Sequence, residues 1–506
     1  MGESGNHQSK ERGSNQVLLK SIILWRVLSR SPHLPPGPKG LPLIGVWNIP
    51  TRSPWLVFEE WSKQYGDMFY FESFGQSFLI MSSMRRVKDL MEKRSSNYSD
   101  RPRAVMVMEL MDWSFNVPLL PYGSWWRRHR RAIHEHFHMN IVEKYWPIQL
   151  RETRAFLRRL HKTPEELRRH IRLTFGAVIL DVIYGIRIAD NNDPYITIAE
   201  EAVAGAAEAA NPGAFLVDLI PALKYIPDWF PGASFKRFAA RYKKLTRIIL
   251  HKPFNYVKAC LADGIPNTSV AANLLESLPP VNDPKREEEE TVARNTGSAM
   301  EIFFLAIALF PEVQKRAQAE LDNVVGRDRL PSFDDLRSLH YINALARETM
   351  RWLLVVPLGV SHMASEDDEY DGYRIPKGTV VLGNAWAILH DPEMFPNPHK
   401  FKPERFLKDG KFNLNGVLDP HDVAFGFGRR ICPGRHLSNN SLLITVASVL
   451  AVYDVLPPVD EKDLPIPMSL EVTHGIVSHP VSLECTIRPQ SVLATELIHS
   501  SEFQED

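Results

Sequence analysis

Apolar residues recur at helical spacing along most of the chain. In a long middle section and in two later sections they fall three and four positions apart, as on one face of an amphipathic helix. The sections with this period are 87–262, 287–346 and 437–452. Prolines interrupt the period near residues 118–121, 212–231, 311 and 331. The pattern predicts a mainly helical protein.

Strand patterns are short and are bounded by turn residues. The stretches with strand character are 69–82, 370–382 and 465–487, with turns expected at Gly75 and at Pro376-Lys377-Gly378. The proline-rich run 34–40 cannot form a helix or a central strand and predicts a stiff connector. Residues 390–422 predict mostly loop. The expected fold class is therefore mainly α with small β-sheets.

The length of the chain and its uniform composition predict its domain organisation. The chain has 506 residues, of which 44% are hydrophobic, so that it can bury a sizeable core. No low-complexity linker or internal repeat divides it. These features predict one large domain over 34–490, preceded by an N-terminal tail at 1–33 and followed by a C-terminal tail at 491–506.

Charge and cysteine content narrow the functional classes. The 60 basic and 60 acidic residues give a net charge of zero, which does not support a nucleic-acid partner. The cysteines Cys260, Cys432 and Cys485 are few, odd in number and far apart, so that they do not form a disulfide scaffold. A reducing compartment is expected.

The N-terminal tail leaves two interpretations open. Residues 17–28 are apolar but carry Lys20 and Arg26, and the run is shorter than the ~20 residues a spanning helix needs. A surface helix and a short interfacial anchor both fit this pattern. A secretory signal is not expected, because no cleavage site of small residues follows.

The strongest chemical pattern surrounds one cysteine. It reads Phe425-Gly426-Phe427-Gly428-Arg429-Arg430-Ile431-Cys432-Pro433-Gly434 and is followed by an apolar helix. Its five specified residues should coincide by chance with odds on the order of 10⁻⁴. The glycines would let the backbone turn tightly under a flat cofactor. Amides at the start of the next helix could hydrogen-bond the sulfur, whereas a purely structural cysteine would need none of this.

This loop resembles the haem-binding loop of the cytochrome P450 family, Phe-x-x-Gly-x-Arg-x-Cys-x-Gly. The resemblance extends over nearly all of 34–487 and implies a haem-thiolate fold. It implies haem b as cofactor, with Cys432 as the axial thiolate, which pushes electron density onto the iron. Arg430 would pair with a propionate, and Phe425 and Gly434 would also contact the cofactor.

Other motifs support the resemblance. Glu348 and Arg351 match the family's Glu-x-x-Arg, and Arg405 lies in Pro403-Glu404-Arg405-Phe406. The resemblance implies that these three charges form a buried network that holds the haem loop. Trp126 and Arg130, one helical turn apart, match a family motif that reaches a propionate, and His362 stands where the family has another propionate donor.

The resemblance also implies where substrate and partners bind. The substrate regions correspond to Met106, Met108, Leu110, Met111 and Phe115, and to Gly475, Ile476 and Val477. Methionine and aliphatic side chains suit an apolar small molecule, although plain core packing is an equal alternative for each of them. Arg127, Arg128 and Arg131 are expected on a basic face that receives an NADPH-cytochrome reductase. The apolar stretch 223–230 is expected to enter a membrane, and the endoplasmic reticulum, at its cytosolic face, is the expected location.

A rival motif is weaker. His134-Glu135-His136-Phe137-His138 contains His-Glu-x-x-His, which occurs on zinc-protease helices. The longer form of that signature fails, because Ile141 stands where glycine is required. The segment also overlaps the helix that carries Trp126 and Arg130. Zinc hydrolysis is therefore disfavoured.

One segment departs from the family. The central helix should carry small residues for O₂ and an acid and an alcohol that relay protons, but residues 295–305 read Asn-Thr-Gly-Ser-Ala-Met-Glu-Ile-Phe-Phe-Leu. A helix over 285–310 would span only roughly 39 Å. This length is short for a helix that crosses the whole molecule. From the shortfall in helix rise we predict that a segment of about a dozen residues is lost between Met300 and Leu305. A mis-drawn exon boundary and a true deletion both remain open, and Glu301 with Ser298 is disfavoured as a substitute relay.

The resemblance implies a monooxygenase that inserts one atom of O₂ into an apolar small molecule with electrons from NADPH through a reductase. The missing motif predicts impaired activity for this chain. Two alternatives remain. One is a haem-thiolate isomerase or peroxide-using enzyme, which needs no reductase. The other is a haem-binding protein without turnover.

Overall fold

A computed structural model describes residues 34–189, 193–211, 213–278, 310–462 and 464–501. Helices dominate these ranges. They are α1 Pro54–Tyr65, α2 Met84–Val87, α3 Ser124–Phe137, α4 Trp146–Lys162, α5 Leu167–Tyr184, α6 Pro194–Ala209, α7 Leu216–Leu219, α8 Ser234–Ala262, α9 Val270–Glu276, α10 Pro311–Val324, α11 His340–Trp352, α12 Ala385–Leu389, α13 His421–Ala424, α14 Arg435–Val452 and α15 Val492–Ser500. Two π-helical turns, Lys88–Lys93 and Val105–Leu110, and short 3₁₀ turns complete the helical part.

In the described ranges, the strands form one four-stranded sheet and three two-stranded sheets. They are β1 Met68–Ser73, β2 Gln76–Met81, β3 His362–Met363, β4 Asp368–Tyr370, β5 Tyr373–Ile375, β6 Val380–Gly383, β7 Leu407–Lys408, β8 Lys411–Phe412, β9 Tyr453–Leu456 and β10 Thr486–Pro489. The large sheet has the order β1-β2-β6-β3, with β2 parallel to β6 and the other pairs antiparallel. The sheet therefore joins the early part of the chain to the part just before the cysteine loop.

The largest apolar core surrounds α14. This helix is buried over most of its length because its sequence is apolar on nearly all sides. It packs against α4, α10 and α11 and is covered at one end by α15. Since the cysteine loop leads directly into α14, the loop is attached to the most deeply buried helix of the described part.

The predicted fold class is confirmed. The hairpin expected within 69–82 is present, with Gly75 at the turn at φ 81°. The expected turn at 376–378 connects β5 to β6, but a second turn at Asp371 and Gly372, both at positive φ, makes the hairpin of β4 and β5. Pro311 begins α10 rather than interrupting a helix, because its missing N–H is not needed in a first turn.

The predicted C-terminal tail at 491–506 contains the helix α15. Ser491 caps it by accepting from the Ala494 amide, and Ile498 is fully buried in the largest core. Within the described ranges, we find no helix that is both long enough and apolar enough to cross a bilayer. The predictions for residues 1–33 and for the segment 285–305 lie outside the described residues.

Candidate functional site

The cysteine loop is closed by its own backbone. The amide of Cys432 donates to the carbonyl of Phe425 at 2.8 Å, and a 3₁₀ turn at Gly428–Arg430 lies between them. Gly428 has φ 56°, and a Cβ there would come within 2.0 Å of the Met91 carbonyl oxygen. Only glycine fits this contact, so that the loop is fixed against the π-helical turn Lys88–Lys93.

Gly434 has a different role from the one predicted. Its φ is −83°, an ordinary value, so that it is not needed for a tight turn. A Cβ on Gly434 would lie 3.9 Å from the Cys432 sulfur. The amides of Gly434 and Arg435, at the start of α14, are close enough to the sulfur to favour its charged form. Burial raises the pKa of the Cys432 thiol, and these amides and the guanidinium of Arg130 oppose that rise.

Arg430 lies buried between aromatic rings and carbonyls. Its guanidinium carbon is 4.4 Å from the centre of the Trp126 ring, and its Nε and Nη2 donate to the carbonyls of Ser99 and Leu120 at 2.7 and 2.8 Å. Its Nη1 is buried and has no hydrogen-bond partner. Burial lowers the pKa of Arg430 to about 10. A buried donor without a partner indicates an acceptor that the chain itself does not supply.

Arg101, which sequence reasoning missed, stands beside Arg430. It is buried and donates to the carbonyls of Pro118, Val360 and Ser361 at 2.6 to 2.8 Å. Burial, and then the neighbouring Arg430, lower the pKa of Arg101. The signal available in the sequence was the basic residue in the Asp-Arg-Pro run at 100–102, but its placement depends on contacts with distant segments.

The charges of this region fit a ligand with two carboxylates. Among the described residues, no carboxylate forms an ion pair with Arg101, Arg130 or Arg430, and Asp100 is the acid that acts on the first and last of them. These guanidiniums, with Arg435 beside Arg130, outnumber the one carboxylate that acts on them, so that positive charge is in excess. Buried charges are normally paired. Haem, with two propionates and an iron that binds a thiolate, fits both this excess and the Cys432 sulfur.

His362 lies beside Arg101 and Arg430, but its neutral ring has no N–H left to donate to a propionate. The ring is buried, and its Nδ1 is 2.6 Å from the carbonyl of Tyr98. Burial, and then Arg101, lower the pKa of His362 well below its usual range, so that the ring is neutral. With its proton on Nδ1, Nε2 holds only a lone pair. His362 must gain a proton before it can donate to a propionate.

The remaining predicted cofactor contacts occupy three positions. Trp126 is buried in the core that also contains Leu437 of α14. Arg130 is half-buried and near enough to Cys432 to act on its charge. Phe425 is half-buried and packs on the His421 ring at 4.8 Å between centroids. The structure therefore brings Trp126, Arg130 and His362 together around Arg430, and it places Arg130 beside Cys432.

The predicted charge network is present and buried. The two oxygens of Glu348 accept from Nε and Nη2 of Arg351, both at 2.8 Å, and neither side chain is exposed. Arg405 Nε lies 3.2 Å from the same carboxylate, and the Lys402 amide donates to it at 2.8 Å. Arg351 and Arg405 also donate to backbone carbonyls in the segment 389–400, which lies between them in the chain. These carbonyls belong to Leu389, Pro396, Asn397, Pro398 and Lys400.

A neighbouring residue links this network to the cysteine loop. Arg347 Nη1 donates to the Asn439 side chain in α14 at 2.7 Å, and its Nε lies 2.9 Å from Asp419, just before α13. Arg347 therefore spans the two ends of the cysteine loop. Sequence reasoning missed it because any arginine next to Glu348 on a helix could face solvent.

The predicted substrate residues fall into separate places. Met106, Met111 and Phe115 pack in a core formed with α6 and α8, whereas Met108 packs in the core that contains Trp126. Ile476 is half-buried and Val477 is exposed. The Asn211 side chain, at the end of α6, accepts from the Ile476 amide at 2.6 Å. The structure therefore bonds the second region to the segment just after α6, whose end packs in the same core as Met106 and Met111.

The zinc interpretation gains no support. α3 ends at Phe137, with His138 as its C-cap, and the rings of His134 and His138 lie 5.4 Å apart between centroids. In the part of the chain that the structure describes, no group of three potential ligands is placed to hold a metal ion.

Known proteins match the chain over most of its length. A family model described as Cytochrome P450 matches residues 35–259 and 293–486. The cytochrome P450 monooxygenases COX2 and COX1 of Coprinopsis cinerea are 47% and 42% identical over 498 and 493 positions. They cover 96% and 94% of this chain and 94% and 95% of their own. The tryptamine 4-monooxygenase of Psilocybe cyanescens is 39% identical over 500 positions, 94% of this chain and 98% of its own. The chain is therefore a member of the cytochrome P450 family, an oxidoreductase whose relatives are monooxygenases.

Proposed function

We propose that the chain binds haem b and, in its intact form, inserts one atom of O₂ into an apolar small molecule with electrons from NADPH through a flavin reductase. The observation that carries the proposal is the cluster of Arg101, Arg130 and Arg430, none of which is paired with a carboxylate among the described residues, with Arg130 beside the Cys432 sulfur. Cys432 would ligate the iron, and Arg430, Arg101 and Arg130 would hold the propionates. Haem, when bound, supplies the electron-transfer and O₂ chemistry.

The chain's own residues position and shield this chemistry. With iron bound, the amides of Gly434 and Arg435 at the start of α14 would withdraw electron density from the Cys432 sulfur and tune its strength as a donor. Trp126 and Met108, in one apolar core, exclude water from the cofactor side. The exposed Arg127 and Arg131 on α3 offer a basic surface to an acidic reductase.

Cys432→Ala is expected to remove the red-shifted Soret band of the reduced, CO-bound protein, because only a thiolate ligand produces it. The band is measured per mole of bound haem, so that low haem content does not hide the result. Cys485→Ala is the matched control. Cys485 is also half-buried, but burial among apolar residues raises its pKa to about 12, so that it remains a thiol. A normal band in Cys432→Ala would refute the assignment.

We also propose that this chain, as written, lacks part of its central helix and is impaired. The alignment with the 47% identical relative runs over 498 positions but covers 96% of 506 residues, or about 486, so that about 12 positions have no residue in this chain. The 42% identical relative covers 94% of the 506 residues, which is about 476. Its alignment runs over 493 positions, so that the difference is about 17. Both differences support the loss of a segment of the size inferred from the helix rise.

Activity assays separate this proposal from its alternatives. NADPH and O₂ consumption that requires added reductase supports a monooxygenase. Turnover of a hydroperoxide without reductase supports a peroxide-using enzyme instead. Spectral titration of the segment-restored protein with terpenes, fatty acids and aromatics would define the substrate class. Indole amines belong in that screen, because one relative is named for acting on tryptamine.

The protein is proposed to attach to the cytosolic face of the endoplasmic reticulum through two contacts. One is the N-terminal segment 17–28. The other is the stretch 223–230, in which Tyr225 and Trp229 are 78% and 80% exposed and Phe230 is 48% exposed. Exposed aromatic residues of this kind sit at the level of lipid headgroups.

Deleting residues 1–30 is expected to weaken membrane binding without abolishing it, because the aromatic stretch remains. Partition between membrane and soluble fractions of a cell lysate measures the effect. Tyr225→Ala/Trp229→Ala, added to the truncation, should then release the protein. Complete release by the truncation alone would show that the second contact does not exist.

A further inference from the structure

The helix α8 carries a charge distribution unlike that of the whole chain. Its 29 residues include eight lysines and arginines and no aspartate or glutamate, whereas the chain as a whole is neutral. The eight are Lys236, Arg237, Arg241, Lys243, Lys244, Arg247, Lys252 and Lys258. A helix this basic raises the local potential above its surface.

Three of these cations form an exposed row near the start of α8. Arg237, Arg241 and Lys244 are spaced four and three residues apart, which places them on one face, and all three are exposed. The buried side of the helix carries Ala239 and Thr246 instead. We refer to Arg237, Arg241 and Lys244 as the basic row.

Most neighbouring cations are already paired, but the basic row is largely free. Lys236 pairs with Asp228 at 3.0 Å, and Arg247 and Lys243 with Asp112 at 2.8 and 3.9 Å. In the basic row, Arg241 makes an exposed pair with Glu201 at 2.7 Å, a contact of little strength. Within the described ranges, Arg237 and Lys244 form no ion pair.

The basic row begins beside the exposed aromatic stretch. Lys236 Nζ donates to the Ile226 carbonyl at 2.5 Å and to Asp228, so that the first turn of α8 is bonded to the segment carrying Tyr225 and Trp229. From Arg237 to Lys244 the helix rises only about 10 Å. Arginine and lysine side chains reach several ångströms further, and charges act over about 8 Å in physiological salt. The basic row and the aromatic residues can therefore meet one surface together.

We propose that Arg237, Arg241 and Lys244 are a docking site for anionic lipid headgroups, which orient the protein once its aromatic stretch has entered the membrane. The proposal rests on the membrane attachment proposed above and adds the lipid class. An acidic protein would match the cations but not Tyr225 and Trp229, which are too exposed for a surface that meets only water. Cations beside exposed aromatic residues are typical of an interface with charged lipid.

The test uses the full chain and vesicles of phosphatidylcholine, with and without phosphatidylserine. Arg237→Gln/Arg241→Gln/Lys244→Gln should weaken binding to the anionic vesicles at least about tenfold, given that each lysine or arginine near such a surface contributes several-fold. Binding to pure phosphatidylcholine should not change. The difference between wild type and variant should disappear at about 0.5 M salt, because charges are then screened within a few ångströms.

Controls separate the basic row from general charge and from insertion. Lys315→Gln/Lys400→Gln/Lys411→Gln removes the same charge from exposed positions elsewhere and should bind like wild type. Arg237→Lys/Arg241→Lys keeps the charge and should also bind like wild type. Trp229→Ala should weaken binding to both kinds of vesicle, which tests attachment itself. Unchanged binding of the triple glutamine variant to anionic vesicles, or equal loss in the control triple, would overturn the proposal.

Discussion

Glu348→Ala is expected to abolish formation of the haem-loaded protein rather than slow its turnover. The carboxylate binds Arg351 through both oxygens and also accepts from Arg405 and the Lys402 amide, and it is completely buried. Removing it leaves two guanidiniums without an anion. Breaking one partner of a buried ion pair typically costs about 3–5 kcal/mol, a large part of the stability of a domain.

The measurement is the haem content of purified protein together with its thermal unfolding midpoint. Glu166→Ala is a matched control, because Glu166 and Arg169 have the same spacing and a 2.6 Å contact but lie 41% and 38% exposed. An exposed pair contributes only about 0–1 kcal/mol, so that this variant should load haem normally. Normal holoprotein from Glu348→Ala would contradict the buried network.

The network could be predicted because its geometry is local. Glu348 and Arg351 are three residues apart on a helix, and that spacing alone puts their side chains on one face. The cysteine loop could be predicted for the same reason, since ten consecutive residues specify both the ligand and the start of α14. In both cases the family resemblance supplied the role, and the structure supplied the contacts, including the bond from the Cys432 amide to the Phe425 carbonyl that closes the loop.

Other features depend on segments that are distant in sequence. Arg101 is positioned by carbonyls near 118 and 360, and Arg347 by Asp419 and Asn439. No local pattern specifies such partners. Gly428 was expected to let the backbone turn tightly, and its φ of 56° agrees, but its close contact with the Met91 carbonyl, 337 positions earlier in the chain, has no signal in the sequence. The helix α15 was missed because its nine residues are short for a periodic pattern and its stability comes from burying Ile498.

The same distinction explains why Met106 and Met111 could not be assigned from sequence. Methionines fill irregular gaps in cores as readily as they line binding sites. Both are fully buried against α6 and α8, which makes core packing their main contact, whereas Met108 lies in the core shared with Trp126. Of the predicted substrate methionines, Met108 is therefore the one that packs in the same core as Trp126, a predicted cofactor contact.

Inserting the segment that we propose is missing between Met300 and Leu305, taken from the source transcript, is expected to give a coupled monooxygenase. The relay acid and alcohol would return with the helix, and positioned proton transfer typically contributes 10²–10⁴-fold. Because the proton relay makes this contribution, the product formed per NADPH consumed should rise by roughly 10²-fold or more. Haem content should rise as well, because the restored helix again spans the molecule.

These two gains have separate causes, and one further variant distinguishes them. A restored segment in which the relay acid and alcohol are both replaced by alanine has the full helix length but no proton route. It should load haem like the restored protein and yet release most of its electrons as peroxide. If the 506-residue chain itself hydroxylated with good coupling, the relay would have to come from elsewhere in the chain. A gain of haem without any gain of coupling in the intact restored form would place the defect in helix length alone.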